Sequence, residues 1–396
     1  MWTKYLPYHV ARIRHLRKRL LAIGWHLTAI EVASKDALYP FPEISENRSE
    51  DYICLFSGQS YRALAPYTIH TTAYRTISSL KPDVIIAPAT PFPSGMASVK
   101  YSADFGKLSV MMDDAWEYSD RRGPLVTSVK RLIHRNIDAA FIPAPSHAQY
   151  YLDMGFPQDR IFYGVDVVDN DFFSEEASKA RDEDEALRRK LSLPQRYFLF
   201  VGRFIKRKGI DTLLEAYRQY AKSASGNAWG LVLVGDGDDR AEYQRTMKDH
   251  PLVKFAGSQF GEKLCAYYGL AGAFILPSEV ETWGLVLNEA MASRLPVLAS
   301  KGCGAGRALI EEGKNGWTFE YGDSRTLSEL MSRLTLLPAG QLQAMKFRSA
   351  EIISQWSLDT FADSVIAASS LPRREPGGLV SQLITKFWTG RISFYP

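Results

Sequence analysis

The chain has 396 residues, of which 46% are hydrophobic and 23% charged, a composition typical of a globular protein with two domains. Its net charge of +4 is too small to indicate a nucleic-acid partner. The three cysteines lie far apart without a CxxC pair, which argues against a disulfide framework or zinc site and favours a reducing compartment: Cys54, Cys265 and Cys303. We see no apolar run of the length needed for a signal peptide or a membrane span, and therefore expect a cytoplasmic protein, at most peripheral to the inner face of the plasma membrane.

Short apolar runs alternate with amphipathic stretches in the first half of the chain. The apolar runs are predicted to be buried parallel strands: 27–33, 52–56, 83–87, 107–111 and 139–143. Helices are predicted between them, at 67–80 and 124–136. This alternation favours a doubly wound α/β domain over residues 1–173.

Residues 174–195 are almost entirely charged and polar, which predicts a solvated helix or a linker between the domains. The alternation then restarts in a second domain, 196–356, with predicted strands at 197–202, 230–235, 252–256, 272–276 and 296–299. Its predicted helices are 209–221, 240–249 and 283–293. A last helix at 358–369 and the aromatic, basic tail are expected to pack back on the first domain (357–396), or the tail acts as an interfacial anchor.

Two glutamates separated by seven residues, Glu281 and Glu289, flank a predicted helix start. The backbone N–H groups of Gly284, Leu285 and Val286 would point out of that start and form an anion site. A phosphate would rest on them, with one carboxylate accepting sugar hydroxyls and the other ribose hydroxyls. The alternative is that Glu281 only favours the helix dipole and that Glu289 is a surface residue.

A cationic turn follows the first strand of the second domain. Gly202 would let the backbone approach a ligand, and Arg203 with Lys208 would place two cations beside a diphosphate. The alternative is an ordinary solvated loop. The turn at Gly235 begins like a dinucleotide fingerprint, but Arg240 stands where the third glycine belongs, so we do not interpret it as an NAD site.

Together these segments resemble glycosyltransferase family four, whose members have the GT-B fold of two Rossmann-like domains facing each other across a cleft. The matching segments are 202–209, 234–237, 253–257, 276–279, 281–289, 296–300 and 313–319. The resemblance implies a retaining, metal-independent enzyme without a cofactor beyond its nucleotide-sugar donor. It implies that Arg203 and Lys208 bind the diphosphate and neutralise the leaving group. It also implies that Glu281 binds the hydroxyls of the donor sugar and that Glu289 binds the ribose. The remaining implied donor contacts are made mainly by backbone groups, at Gly202, Gly235, Ser258, Gly284, Leu285 and Val286.

The first half resembles the family less closely. The family's first strand would precede Trp2 and is missing or only a stub here, and its usual glycine pair is replaced by Leu6 and Pro7. Where many relatives have a histidine, this chain has Asp113 and Asp114 at the carboxyl end of a predicted strand. A carboxylate there would receive the acceptor proton or hold the acceptor, and the alternative is a helix cap. His9 is a weaker candidate.

Basic side chains crowd two predicted helices of the first domain: Arg12, Arg14, Arg17, Lys18 and Arg19, and Lys130, Arg131, His134 and Arg135. They suit an anionic membrane or a lipid-diphosphate acceptor, or they are ordinary solvated faces.

The resemblance therefore predicts transfer of a hexose from a UDP-sugar, or less favourably a GDP-sugar, to a glycan or lipid-linked acceptor in surface polysaccharide synthesis. The alternatives are a nucleotide-sugar 2-epimerase of the same fold and a non-catalytic partner subunit. The four charged residues Arg203, Lys208, Glu281 and Glu289 argue against a non-catalytic subunit, which would not need all of them.

Overall fold

The computed structural model describes residues 1–35, 51–119, 123–224 and 226–390. The chain divides into two α/β units, which we call unit 1 and unit 2. Unit 1 comprises Met1–Val167 and Leu358–Pro396, and unit 2 comprises Val168–Ser357. The chain thus passes between the units twice, and its last helices belong to the first of them.

The described residues of unit 1 form six strands, all in parallel pairs. They are β1 (Ala29–Lys35), β2 (Tyr52–Ser60), β3 (Val84–Pro88), β4 (Leu108–Met112), β5 (Ala139–Ile142) and β6 (Ile161–Tyr163). Strand β1 pairs with β2, and β3 to β6 form a four-stranded sheet in chain order. The helices are α1 (Pro7–Leu21), α2 (Pro66–Leu80), α3 (Pro93–Phe105), α4 (Pro124–His134), α5 (Ala148–Asp153), α15 (Leu358–Ser369) and α16 (Leu379–Phe387).

The first residues of the chain occupy the position where the resemblance places a first strand. The Trp2 N–H donates to Ile30 O at 3.0 Å, and the Val32 N–H donates back to Trp2 O at 3.0 Å. On the other side, the Met1 amino group donates to Ile86 O at 2.7 Å. Residues 1–3 are therefore a strand stub that bonds to both β1 and β3.

Helix α1 does not present all of its predicted basic side chains to solvent. Arg12 is buried, and Arg19 pairs with Asp359 and Asp363 of α15 at 2.6 and 2.5 Å. His15 also contacts Asp359, at 2.8 Å. Of the basic residues predicted to crowd this helix, Arg12 is therefore not on a solvated face, and Arg19 is paired with carboxylates of α15.

Unit 2 contains one six-stranded parallel sheet in the order β12-β11-β10-β7-β8-β9. Its strands are β7 (Tyr197–Val201), β8 (Gly230–Val234), β9 (Val253–Gly257), β10 (Ala273–Leu276), β11 (Val297–Ser300) and β12 (Gly316–Phe319). The helices are α6 (Asn170–Asp182), α7 (Asp184–Leu191), α8 (Ile210–Ser223), α9 (Arg240–Thr246), α10 (Gly261–Leu270), α11 (Leu285–Ala292), α12 (Gly304–Leu309), α13 (Ser324–Leu336) and α14 (Ala339–Ile353). The strand order reverses between β7 and β10, which is where open α/β sheets bind ligands.

The segment predicted as a linker forms α6 and α7 and belongs to unit 2. Helix α6 begins at an Asp169 cap, whose side chain accepts from the Phe172 N–H at 3.1 Å. It lies so close to α10 that a Cβ at Gly269 would be 2.6 Å from Ala177 O. The buried side of α6 consists of small alanines, which the charged composition of the segment concealed.

Among the helices that the structure describes, none is both long enough and apolar enough to cross a bilayer.

Candidate functional site

The predicted donor residues lie on two loops that leave neighbouring strands of unit 2. Arg203 and Lys208 follow β7, Glu281 follows β10, and β7 pairs with β10 in the sheet. Both loops therefore start at the carboxyl edge of the sheet, at its topological switch point. The fold brings together residues that are far apart in sequence.

Lys208 and Glu281 form an ion pair at this edge. The Lys208 ammonium contacts Oε1 of Glu281, and both side chains are largely buried, with 23% and 14% of their surface exposed. The Ser278 hydroxyl donates to the same Glu281 oxygen at 2.7 Å. Two donors on one oxygen hold this carboxylate in one orientation.

Close backbone contacts fix the loop that carries Glu281. Its N–H donates to Gly302 O at 2.9 Å, and its carbonyl accepts from Gly304 N at 3.2 Å. At Gly209, where φ is +66°, a Cβ would lie 2.0 Å from Pro277 O. The turn after Lys208 and the loop before Glu281 thus approach at a distance that only glycine allows.

The backbones at Gly202 and Gly235 are in close contact at the ends of β7 and β8. The Gly202 N–H donates to Val234 O at 3.0 Å. A Cβ at Gly235 would lie 1.8 Å from Gly202 O, and the φ of Gly235 is +141°. The two glycines therefore hold the base of the Arg203 loop against the next strand.

We expect Gly235→Ala to lower the free energy of unfolding by about 3 kcal/mol, because the methyl group collides with backbone and φ is unfavourable for alanine. Urea unfolding followed by circular dichroism measures this change. Gly340→Ala is the matched control, since Gly340 lies in α14 with open space around its Cβ position. It should be neutral or more stable by about 0.5–1 kcal/mol. Equal stability of the two variants would contradict the close contact between the backbones at Gly202 and Gly235.

Helix α11 begins at Gly284, as the anion-site prediction requires. Gly284 has φ of +106° and caps the helix, whose first residues are Leu285 and Val286. N–H groups in a first helical turn have no acceptor within their own helix and can bind an anion. The start is braced from both sides: the Cys303 thiol contacts Trp283 O at 3.2 Å, and Trp283 Nε1 donates to Asn288 Oδ1 at 2.9 Å.

Glu289 lies inside α11 and is held by a tyrosine of α10. The Tyr268 hydroxyl donates to Glu289 Oε2 at 2.8 Å. Burial raises the pKa of Glu289 to about 7, and the Tyr268 hydrogen bond opposes that rise. Glu289 is therefore a half-buried carboxylate held in place by Tyr268.

Sequence reasoning did not single out Ser278 and Tyr268 as positioning residues. Ser278 lies within a segment that carried the family resemblance, so its proximity to Glu281 was available as a signal. Tyr268 gave none, because it is separated from Glu289 by 21 positions and belongs to another helix. Ser258, predicted near the nucleotide base, is exposed just after β9, the edge strand of the sheet.

Unit 1 has an acidic cluster at the carboxyl ends of its strands. Asp113 and Asp114 follow β4, and Asp166 lies shortly after β6. Arg12 of α1 reaches this group, pairing with Asp166 at 3.6 Å and donating to Val167 O at 2.9 and 2.7 Å. Burial raises the pKa of Asp113 to about 6; Lys130 lowers it and Asp114 raises it further. Burial also raises the pKa of Asp166, against the attraction of Arg12.

In the described part of the chain, Asp113 lies in a turn and does not cap a helix. Asp113 Oδ1 accepts from Ala115 N at 3.4 Å within a turn, while α4 begins after Gly123. His9 is enclosed by aromatic rings, and its Nδ1 accepts from the Leu6 N–H at 3.0 Å. Burial lowers the pKa of His9 well below its ordinary value. Arg12 and Asp166 are the residues of this cluster that sequence reasoning missed.

Residues 183–349 match the family described as glycosyl transferases group 1. A GDP-mannose-dependent alpha-mannosyltransferase of Mycobacterium tuberculosis is 34% identical over 195 residues, 49% of this chain and 47% of that protein. The sulfoquinovosyl transferase SQD2 of Arabidopsis thaliana is 27% identical over 50% of this chain and 37% of its own length. The chain thus spans about half or less of these relatives.

A crystal structure of a glycosyltransferase from Rickettsia africae superposes with a TM-score of 0.70, covering 92% of this chain and 95% of that one at 16% identity. The chain has the GT-B fold. The predicted fold class is confirmed, and the second unit of this GT-B chain carries the group 1 glycosyl transferase match. Within the described residues of the chain, no three His, Cys, Asp or Glu side chains are grouped to hold a metal ion.

Proposed function

We propose that this GT-B chain is a retaining glycosyltransferase that moves a hexose from a nucleoside diphosphate sugar to a glycan or lipid-linked acceptor. The observation that carries the proposal is the Lys208–Glu281 pair at the switch point of unit 2. A cation suited to a diphosphate and a carboxylate suited to sugar hydroxyls lie there side by side. Unit 2 then binds the donor, and unit 1 binds the acceptor.

In the proposed reaction the bond between the anomeric carbon and the diphosphate oxygen breaks. The bonding electrons stay on that oxygen, where Arg203 and Lys208 neutralise the growing charge without a metal. The first-turn N–H groups of Leu285 and Val286 add fixed partial positive charge. The acceptor oxygen bonds to the anomeric carbon and loses its proton, and the sugar keeps its anomeric configuration.

Glu281 acts in this scheme by binding, because its carboxylate is already paired with Lys208 and Ser278. It accepts hydrogen bonds from donor sugar hydroxyls and fixes the ring relative to the diphosphate. We therefore assign Glu281 to donor positioning and charge balance, with Lys208 shared between it and the phosphate.

The acceptor is assigned to unit 1 through its acidic cluster. Asp113, whose pKa is raised to about 6, would hold the acceptor hydroxyl or take its proton near neutral pH. Asp114 next to it would add a second hydrogen-bond acceptor. A lipid-linked acceptor would suit the basic α4 better than α1, whose Arg12 and Arg19 are bound within unit 1.

Glu289 is proposed to accept the ribose hydroxyls, which makes nucleotide affinity depend on pH. Its pKa of about 7 means that the carboxylate forms only as the pH rises through neutrality, so we expect the Kd for a nucleoside diphosphate to fall between pH 6 and pH 8. Calorimetric titration of the native chain and of Glu289→Gln checks this. The variant should bind more weakly at pH 8 and show a flatter pH dependence. Parallel profiles for the two proteins would contradict the role of Glu289.

The raised pKa of Glu289 also makes the stability of the fold depend on pH. Between the ordinary glutamate pKa of 4.5 and about 7, the folded chain retains a proton that the unfolded chain has lost. The contribution of Glu289 to the free energy of unfolding therefore falls as pH rises through this window. Glu289→Gln should remove that part of the decline.

The donor is found by a screen of UDP-glucose, UDP-galactose, UDP-N-acetylglucosamine, UDP-glucuronic acid, GDP-mannose and the free nucleotides. The sequence favours a uridine donor, whereas the name of the mycobacterial relative specifies GDP-mannose. Thermal shift and slow donor hydrolysis are recorded for each compound. Stabilisation by one nucleotide together with hydrolysis of one sugar supports the proposal and names the donor. No shift with any compound would favour the non-catalytic alternative, and interconversion of two sugars would favour the epimerase.

A further inference from the structure

Helix α16 in unit 1 has its polarity reversed relative to an ordinary surface helix. Ser381 and Thr385 are each 1% exposed, whereas Leu379 and Phe387 are each 73% exposed. A helix on a globular domain normally buries its apolar stripe and exposes its polar one. The reversed arrangement needs both a reason for the polar side to be buried and a partner for the apolar side.

The buried polar side is held by a hydrogen-bonded seam with α4. Nδ2 of Asn136, which follows α4, donates to the hydroxyls of Ser381 and Thr385, at 2.8 Å each. The Asn136 Oδ1 accepts from the Gly377 N–H at 2.9 Å, and Ser381 donates to Leu132 O. The seam satisfies these buried groups, so it fixes which way the helix faces.

The outward side forms a helical stripe of large apolar residues. Leu379, Leu383 and Phe387 follow each other at intervals of four, with Val380 beside them, and Trp388 comes directly after the helix. Helix α4 next to it also exposes Leu125 and Val126. Exposed apolar side chains concentrated on adjacent elements mark an interaction surface.

The charged residues of α4, α16 and the segments that adjoin them in the sequence have one sign. Residues 123–135 and 376–390 contain no Asp or Glu, and their cations are Lys130, Arg131, Arg135 and Lys386. Within the described residues, neither Arg135 nor Lys386 takes part in an ion pair, and both are exposed. A second copy of this surface would bring like charges together, whereas an anionic bilayer would complement both the cations and the apolar stripe.

We propose that α4 and α16 form a docking surface for an anionic lipid bilayer, with α16 lying in the plane of the interface. Leu379, Leu383 and Phe387 enter the boundary between headgroups and acyl chains, and the flanking cations contact lipid phosphates. The Asn136 seam orients the apolar stripe outward. This docking goes beyond the proposed transferase function and does not require a donor or an acceptor.

Sedimentation with vesicles tests the proposal on the full chain. The native protein should bind vesicles of phosphatidylcholine with phosphatidylglycerol and bind pure phosphatidylcholine vesicles at least about tenfold more weakly. Phe387→Ser and Leu383→Gln should each weaken binding to the anionic vesicles about tenfold, because each removes an inserted side chain. Lys386→Gln should weaken it about fivefold.

Leu336→Gln is the matched control, because Leu336 is 82% exposed at the end of α13 in unit 2. It should leave vesicle binding unchanged, and unchanged circular dichroism spectra and melting temperatures show that all variants fold. Equal binding by the native chain, Phe387→Ser and Leu383→Gln would overturn the proposal. Equal binding of the native chain to vesicles with and without phosphatidylglycerol would overturn it too. Self-association of the native chain that these two variants abolish, without vesicle binding, would assign the surface to a second copy instead.

Discussion

Glu281→Gln is expected to lower kcat by about 10²–10³-fold, because the amide cannot replace a charged acceptor of the donor sugar hydroxyls. The amide has the same shape and should keep the backbone bonds of the loop to Gly302 and Gly304. Binding of the free nucleoside diphosphate should stay within about threefold, since the sugar is absent from it. Initial rates with the donor from the screen and calorimetric titration of the nucleotide give the two numbers.

Glu279→Gln is the matched control for this prediction. Glu279 is an exposed carboxylate on the same loop, two positions before Glu281, and its N–H donates to Arg207 O at 2.8 Å. The side-chain change leaves that backbone bond in place and should leave kcat unchanged. Full activity of the Glu281 variant, or equal losses in both, would contradict the assignment of the sugar contact.

Lys208→Ala is expected to lower kcat/KM by about 10³-fold and to weaken nucleotide binding as well. The ammonium neutralises charge on the diphosphate in the bound state and more strongly as the bond breaks, so both steps suffer. Its removal also leaves the partly buried Glu281 carboxylate without the Lys208 ammonium. Initial rates and calorimetric titration of the nucleotide measure the two losses.

Lys206→Ala provides the control within the same turn. Lys206 is 58% exposed and contacts Asp211 and Glu242 instead of Glu281, so its loss should change activity by less than about twofold. The double variant Lys208→Ala with Glu281→Gln should lose much less than the product of the single losses, because the two side chains act as one pair. If the loss of activity in the double variant equals the product of the two single losses, the ion pair has no role in turnover.

The alternating apolar runs predicted ten of the twelve strands that the structure describes, and most of these lie within about two residues of the observed ones. Strands β6 and β12 were not predicted. Strand and helix periods depend on local burial, which the residue pattern reports directly. Helix α3 escaped this reasoning because residues on nearly every side of it are buried, including Ser94, Gly95 and Ser98. A helix buried all round has no amphipathic period to detect.

The predicted donor residues lie together where motif and topology coincide. The glycines at 202, 235 and 284 stand where the fold needs unusual backbone or close approach, so their residue type carried information. Asp113 and Asp114 were found from their place after a strand. Arg12 was misjudged as a surface cation, because its partners at Asp166 and Val167 come from a distant part of the chain.

The α/β class, the two regions of alternating strands and helices, and the charged side chains suited to a nucleotide sugar followed from the residues alone. Those properties depend on local periodicity and on residue identity. The contact between Lys208 and Glu281, which are 73 positions apart, depends instead on β7 lying next to β10 in the sheet. The outward turn of the apolar stripe of α16 was likewise decided by Asn136, because a buried polar side chain must find its hydrogen-bond partners wherever the fold places them.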